Sequence, residues 1–221
     1  MCGRFTLHAT IEELFDQFEI DQLFAEYQPR YNIAPGQNVL AIIHDGQKKR
    51  AGYLKWGLVP GWAKDPKIGY KMINARSESA HEKPSFKKLL TSRRCLIIAD
   101  SFYEWKREGK QKQPKRIAPK GRHLFAFAGL WDKWSNEKED LFTCTILTQD
   151  ANEFMKGIHD RMPVILPKDK ESEWIEPRKW SSEEASQFLA QVGMEELHAY
   201  DVSDYVNSAK NEGEACIAPL L

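Results

Sequence analysis

The sequence predicts an α+β domain with a largely antiparallel, β-barrel-like core and peripheral helices. Three observations carry that expectation. Short stretches rich in β-branched and aromatic residues recur along the chain, separated by Gly, Pro and Asp-Gly turn signals. Only three or four segments have helical periodicity, and they are scattered instead of alternating with strands as a parallel sheet requires. No repeat, low-complexity tract or linker divides the 221 residues, so 1–221 is expected to be one domain.

Thr10-Ile11-Glu12-Glu13 is a capping box, and Ile11, Leu14, Phe15 and Phe18 follow at helical spacing, predicting a helix over 11–18. A second short helix is expected over 21–27, before Pro29. Residues 30–36 are extended and turn at Pro35-Gly36. A buried strand over 39–43, a hairpin turn at Asp45-Gly46 and a return strand over 53–56 come next. Trp56-Gly57-Leu58-Val59-Pro60-Gly61-Trp62 sets two glycines and a proline between tryptophans, which predicts an irregular loop displaying aromatics to a base or sugar. A core-capping loop would have the same composition.

In 72–78, Asn74 and Arg76 stand beside an apolar pair, as polar groups brought to a cleft would. Residues 83–91, with Phe86, Leu89 and Leu90, predict a short helix with a basic side. A buried strand over 94–99 runs through Asp100 into another, where alternation puts Phe102, Glu104 and Lys106 on one face and Tyr103, Trp105 and Arg107 on the other. Further strands are expected over 115–118, 123–130 and 141–147, then a short helix over 152–157 ending at Gly157. The triplet His159-Asp160-Arg161 enters a strand ending near Leu166. Ser181-x-x-Glu184 opens a final helix to about Val192, 197–202 alternates as a strand, and 206–213 is polar and irregular.

Formal net charge is zero, yet residues 64–122 hold 17 Lys+Arg against 6 Asp+Glu. A basic face on a neutral protein suits a surface that meets phosphates. A solvated lysine-rich face gives the same count, and charge alone leaves the two level. There is no apolar run of about 18 residues and no basic-then-apolar N-terminal pattern, so a cytoplasmic protein without a membrane span is expected. Cys2, Cys95, Cys144 and Cys216 are far apart with no Cys-x-x-Cys, which gives no support to a zinc or redox motif. Cys95 and Cys144 lie in strand stretches and are expected as inert buried thiols. No metal and no cofactor is expected.

The chain begins Met1-Cys2-Gly3-Arg4-Phe5. Initiator methionine is trimmed when the next side chain is small, and trimming would leave Cys2 with a free α-amine and a thiol on adjacent carbons. Such a 1,2-aminothiol captures an aldehyde twice, as an imine and then as a five-membered thiazolidine. An α-amine titrates near about 7.7–8.0 and an ordinary thiol near about 8.5, so both are available around neutral pH. Taken alone, the dipeptide fits a frayed terminus equally well. Glu104, on a strand face with Phe102, is a candidate buried proton carrier, although an exposed ion pair with Lys106 accounts for it too. His159 is the residue type most able to move protons near neutral pH.

Six motifs in order resemble the SRAP family of abasic-site processing proteins, also labelled SOS-response-associated peptidases. They are Met1-Cys2-Gly3-Arg4-Phe5, Tyr31-Asn32-Ile33-Ala34-Pro35-Gly36, Trp56 to Trp62, Ile73-Asn74-Ala75-Arg76-Ser77-Glu78, Phe102-Tyr103-Glu104-Trp105 and His159-Asp160-Arg161-Met162-Pro163. The resemblance implies a compact α+β fold with a basic groove, and Cys2, Asn74, Glu104 and His159 as catalytic residues. It implies DNA contacts at Arg4, Asn32, Pro35, Arg76 and Arg161, with Trp56, Trp62 and Phe86 as aromatic contacts. Where some members carry a second tryptophan, this chain has Ala63. The implied partner is single-stranded DNA containing abasic sites, met by a monomer that is nucleoid-associated in use. The implied activity is covalent capture through Cys2, with AP-lyase activity as a side branch and self-removal of Met1. Two alternatives stay open from the residues: a cysteine peptidase built on Cys2, His159 and Glu104, and a non-catalytic single-strand-binding module.

Overall fold

The computed structural model describes residues 2–193 and 195–220, with every side chain among them except that of Glu108. Met1, whose removal the sequence leads one to expect, lies outside the described residues. The strands are β1 (Phe5–Leu7), β2 (Gln22–Leu23), β3 (Arg30–Ile33), β4 (Asn38–His44), β5 (Lys49–Trp56), β6 (Asn74–Arg76), β7 (Arg94–Ala99), β8 (Ser101–Glu108), β9 (Gln111–Pro119), β10 (Phe125–Ser135), β11 (Asp140–Asp150), β12 (Arg161–Pro163), β13 (Ile165–Leu166) and β14 (Leu197–Asp201). The helices are α1 (Ile11–Phe18), α2 (Pro84–Ser92), α3 (Glu153–Lys156), α4 (Lys168–Trp174) and α5 (Ser182–Gln191).

Five strands close into a barrel. The hydrogen-bonded order β5-β4-β7-β10-β11 returns to β5 through the parallel pairs Thr143–Lys55 and Cys144–Trp56. The other contacts round the ring are antiparallel. Closure removes the exposed edges that an open sheet would present. Packing around the ring is tight: a Cβ at Gly129 would come within 2.8 Å of both Cys95 Sγ and Ile97 Cδ1. Cys95 and Cys144 are buried, and burial pushes both thiols up, so neither ionises near neutral pH.

A second, antiparallel sheet runs β14-β9-β8-β1-β3. Phe5 of β1 joins it to the barrel, with ring centroids 5.2 Å from Trp56 and 5.6 Å from Phe127. The expected alternation in β8 is visible in its packing. Phe102 enters the main core, and Tyr103 enters a smaller cluster with Val202, Val206 and Cys216.

Both capping boxes form as anticipated: Glu13 N–H donates to Thr10 Oγ1 at 3.2 Å, and Glu184 N–H to Ser181 Oγ at 3.0 Å. Residues 21–27 are not helical. Asp21 N–H donates to Lys49 O and Phe24 N–H to Ala51 O, each at 3.0 Å, which docks β2 in parallel on β5. A short uncapped helix is marginal, and the free side of β5 offers those groups better partners. Conversely, 168–174 has no clear apolar period yet forms α4, because Trp174 packs at 5.4 Å against Phe188 of α5. Among the described residues no helix is long and apolar enough to cross a membrane.

The turn after β5 depends on two facing glycines. Gly57 has φ +132°, and a Cβ there would lie 2.7 Å from Gly69 O; a Cβ on Gly69 would lie 2.7 Å from Gly57 O. Gly57→Ala is therefore expected to cost about 3 kcal/mol or more, from backbone strain and overpacking together. Gly46→Ala, at φ +99° with nothing within 4 Å, should cost only the strain, about 1–2 kcal/mol. Urea unfolding of the two variants checks this, and equal losses would show that the Gly57–Gly69 approach is not tight.

Candidate active site

The site is organised by what holds the N-terminal strand. Phe5 pairs with Ile33 of β3 on one side and Phe102 of β8 on the other, and Tyr103 N–H donates to Arg4 O at 2.9 Å. Beneath β1 lies the buried carboxylate of Asp100. It accepts from the Thr6 hydroxyl and from the His8 N–H, and His8 Nδ1 stands 2.7 Å away. Arg116 flanks this cluster, with Nε donating to Ser101 Oγ and NH1 to Tyr200 Oη, both at 2.7 Å. Burial by itself would push the Asp100 carboxyl up. The bonds and charge from His8, with the Thr6 hydroxyl, outweigh it and hold the group below its ordinary value.

Cys2 follows directly from this anchored strand and is fully buried. Asn74, at the start of β6, donates from Nδ2 to the Cys2 carbonyl at 2.9 Å. Asn74 Oδ1 is buried and has no hydrogen-bond partner among the described residues. Glu104 is buried on β8, and its charge acts on the Cys2 thiol. Burial first, and Glu104 second, push that thiol well up. The expectation of an ordinary thiol that ionises near neutral pH is thus corrected, because the side chain is closed off from water. The Sγ–H points to Arg4 O at 4.0 Å.

Arg4 and Asn32 form a hub next to it. Arg4 NH1 donates to Asn32 Oδ1 and to Val206 O, both at 2.7 Å. Asn32, fully buried, donates from Nδ2 to Ser208 O at 2.9 Å and Asn211 O at 2.8 Å. Trp105 Nε1 donates to Asn207 Oδ1 at 2.7 Å, and Arg4 lies over its ring at 5.8 Å. Asn32 therefore has no surface to offer a ligand; it fastens the segment 206–211 against the N-terminal strand. That segment read in the sequence only as polar and irregular, and its lack of periodicity left no signal for this role.

On the other side, β11 carries β6 in parallel through Thr148–Arg76 and β12 antiparallel through Asp150–Arg161. The buried Arg161 fork spans the two. It binds Glu78 bidentately at 2.8 and 2.9 Å, reaches Asp150, and donates to Thr148 O at 2.9 Å. With NH1 and NH2 so committed and the side chain buried, Arg161 ties β6 to β12, and it does not project to solvent as a DNA contact would. His159 precedes it, about a third exposed. His159 Nδ1 lies 3.0 Å from Arg161 N–H and 2.7 Å from Asp160 Oδ1. The first contact needs an acceptor and the second a donor, so the ring has a partner in either protonation state.

The family model described as "SOS response associated peptidase (SRAP)" matches residues 1–209. The chain belongs to the SRAP family. The abasic site processing protein YoaM of Bacillus subtilis is 57% identical over 215 residues, covering 96% of this chain and 95% of that one. The abasic site processing protein YedK of Escherichia coli is 32% identical over 230 residues, with both chains fully covered. The abasic site processing protein HMCES of Xenopus tropicalis is 32% identical over 228 residues, covering 89% of this chain and 68% of its own. A solved structure from Bacteroides thetaiotaomicron superimposes with a TM-score of 0.85 over the whole of both chains at 23% identity, which speaks for the fold alone.

Within this SRAP chain the aromatic candidates separate. Trp56 is buried, its Nε1 donating to Ile73 O at 2.8 Å, so it is a core residue and not a displayed platform. The loop needs an apolar plug under its glycines, and Trp56 supplies it. Trp62 is 63% exposed. Phe86 is half-buried on α2, packed against the core. Pro35 stands half-exposed in its turn, and Arg76 is exposed.

Two outcomes follow for the SRAP site. Asn32→Ala should cost on the order of 2–3 kcal/mol by leaving Arg4 and several carbonyls unsatisfied. It should also raise amide exchange selectively in 206–211; unchanged protection there would remove Asn32 from the hub. The second concerns pH. The folded-state pKa of Asp100 lies below its unfolded value of about 3.9, so the unfolded chain binds the proton first as pH falls. The stability lost in Asp100→Asn should thus be constant above about pH 4 and shrink as pH drops below it. Unfolding curves from pH 7 to 2 measure it, and a loss that grows with acid would contradict the assigned direction.

Proposed function

We propose that this chain captures abasic sites in single-stranded DNA by covalent linkage to Cys2, shielding the lesion during a DNA-damage response. Three relatives named as abasic site processing proteins support the reading. The observation that carries it is the enclosure of Cys2, with Asn74 on its carbonyl and the Glu104 charge on its thiol. The chain as it stands carries Met1 on the Cys2 nitrogen, so hydrolysis of that peptide bond must come first. The freed α-amine then adds to the aldehyde of the ring-opened deoxyribose, and one water leaves to give an imine. The Cys2 S–H next adds across the C=N bond: sulfur bonds to carbon and the proton reaches nitrogen, closing a thiazolidine with no change of oxidation state.

A thiol held neutral by burial needs a base at the moment it adds. Glu104 is the group to take that proton and return it to nitrogen. Asn74 fixes the terminus by its bond to the Cys2 carbonyl. His159, with a partner in either state, serves as the acid for ring opening. β-Elimination from the imine gives an AP-lyase branch. The peptidase alternative fares worse on one observation. A peptidase thiolate is stabilised by a neighbouring cation, whereas the charge acting on Cys2 from Glu104 is negative and opposes ionisation.

The test is intact mass and denaturing gels after mixing with abasic single-stranded DNA. The expected adduct equals the Met1-free chain plus DNA less one water. One alanine inserted between Met1 and Cys2 should abolish it, and undiminished adduct from that variant would overturn the mechanism. Glu104→Gln and His159→Ala should each slow single-turnover capture on the order of 10²–10⁴-fold while leaving DNA affinity intact. Wild-type rates in both would leave Cys2 acting alone.

A further inference from the structure

Arg4 forms no ion pair among the described residues; its acceptors are neutral oxygens. NH1 donates to Asn32 Oδ1 and Val206 O, both at 2.7 Å, and NH2 reaches Asn207 O at 3.5 Å. Burial pulls the guanidinium below its ordinary pKa. Nε is buried and has no hydrogen-bond partner among the described residues. A half-buried cation without a counter-ion is costly, and packing alone gives no reason for it. NH1 is anchored, whereas NH2, with one long contact at the surface, is the nitrogen left to meet an anion.

The oxygens that hold this guanidinium sit at the end of a single 3₁₀ turn, Asp204–Asn207. Val206 packs that turn against Tyr103, Val202 and Cys216. Side-chain donors set its orientation. Trp105 Nε1 donates to Asn207 Oδ1 at 2.7 Å, and Asn211 Nδ2 to Tyr205 O at 2.6 Å. Arg4 lies over the Trp105 ring at 5.8 Å. Trp105 therefore touches both partners: its ring faces the guanidinium, and its N–H holds the side chain of Asn207. Asn207 lies outside the apolar cluster, and its bond to Trp105 fixes the turn on which Arg4 is anchored.

We propose that Asn207 is a positioning residue for Arg4: clamped by Trp105, it holds the 206–207 turn so that the guanidinium presents NH2 to a phosphate flanking the lesion. The assignment rests on the abasic-DNA function proposed above. Arg4 stands two residues from Cys2, so a strand whose lesion reaches Cys2 brings a neighbouring phosphate past that nitrogen. A planar guanidinium bonds phosphate well only in a restricted orientation. A fork held in place before binding loses less freedom when the phosphate arrives.

Fluorescence anisotropy with a labelled single strand lacking an abasic site reads the binding step. Asn207→Ala should weaken affinity about 10-fold, the low end for a hydrogen bond to a charged group. In an Arg4→Lys background, which keeps the charge and loses the fork, the same substitution should change affinity less than about 2-fold, because residues that act through one another are not additive. Asn207→Asp keeps an acceptor for Trp105 Nε1 and sets a carboxylate beside Arg4. It should hold the wild-type Tm, yet weaken binding and lower the slope of log affinity against log salt by about 0.7. In single-turnover capture of abasic DNA, Asn207→Ala should raise the DNA concentration for half-maximal rate and keep the maximal rate. Wild-type affinity in Asn207→Ala overturns the inference, and so does a loss that persists undiminished in the Arg4→Lys background. If the wild-type chain binds the strand and gives no adduct with abasic DNA, the proposed function fails, and the affinity cycle still decides Asn207. Absence of any single-strand binding overturns both.

Discussion

Chain termini fray unless something ties them down. Here the tie is the insertion of β1 between β3 and β8, fastened from below by the Asp100 carboxylate and from the barrel side by Phe5. Both attachments use positions that β1 brings with it: Thr6 and His8 for the carboxylate, Phe5 for the core. Three residues of strand are too few to stand alone, so the position of Cys2 depends on the second sheet and on the barrel to which that sheet is pinned.

Enclosure gives Cys2 a definite chemical character. A thiol taken out of water and faced by a carboxylate stays protonated, the opposite of what an exposed redox or peptidase cysteine requires. It protects the sulfur from oxidation, which follows thiolate character and exposure. The Arg4–Asn32 hub and the Arg161–Glu78 fork spend their hydrogen bonds on the protein itself. They close the two flanks, one by holding 206–211 and the other by joining β6 to β12.

The basic segment shows how little a charge count says before folding. Acids from distant parts of the chain, such as Asp132, Glu171, Glu195 and Asp201, return to meet its arginines and lysines. Arg94 spends its guanidinium on backbone carbonyls, including Trp174 O at 2.6 Å, and burial lowers it to about 10. What stays exposed and without an ion pair among the described residues is spread along the segment, at Lys64, Lys67, Lys71, Arg76, Lys83, Lys87, Lys88, Arg107, Lys110 and Lys112.

Local signals determined local structure. The two capping boxes, the Asp45-Gly46 hairpin, the period-2 pattern of β8 and the α+β class with a barrel-like sheet were all legible, because each depends on neighbours a few residues apart. Motif order likewise marked out the SRAP family. Only the tertiary structure decided which side chains are spent on the protein itself. Asn32, Trp56 and Arg161 have the residue types of DNA contacts, yet their polar groups are consumed by Val206, Ile73 and Glu78, partners 174, 17 and 83 residues away. The helix expected over 21–27 gave way to β2 for the same reason, since β5 offered it a ladder. Hydrogen-bond partners and burial arrive from across the chain, and no local pattern encodes them.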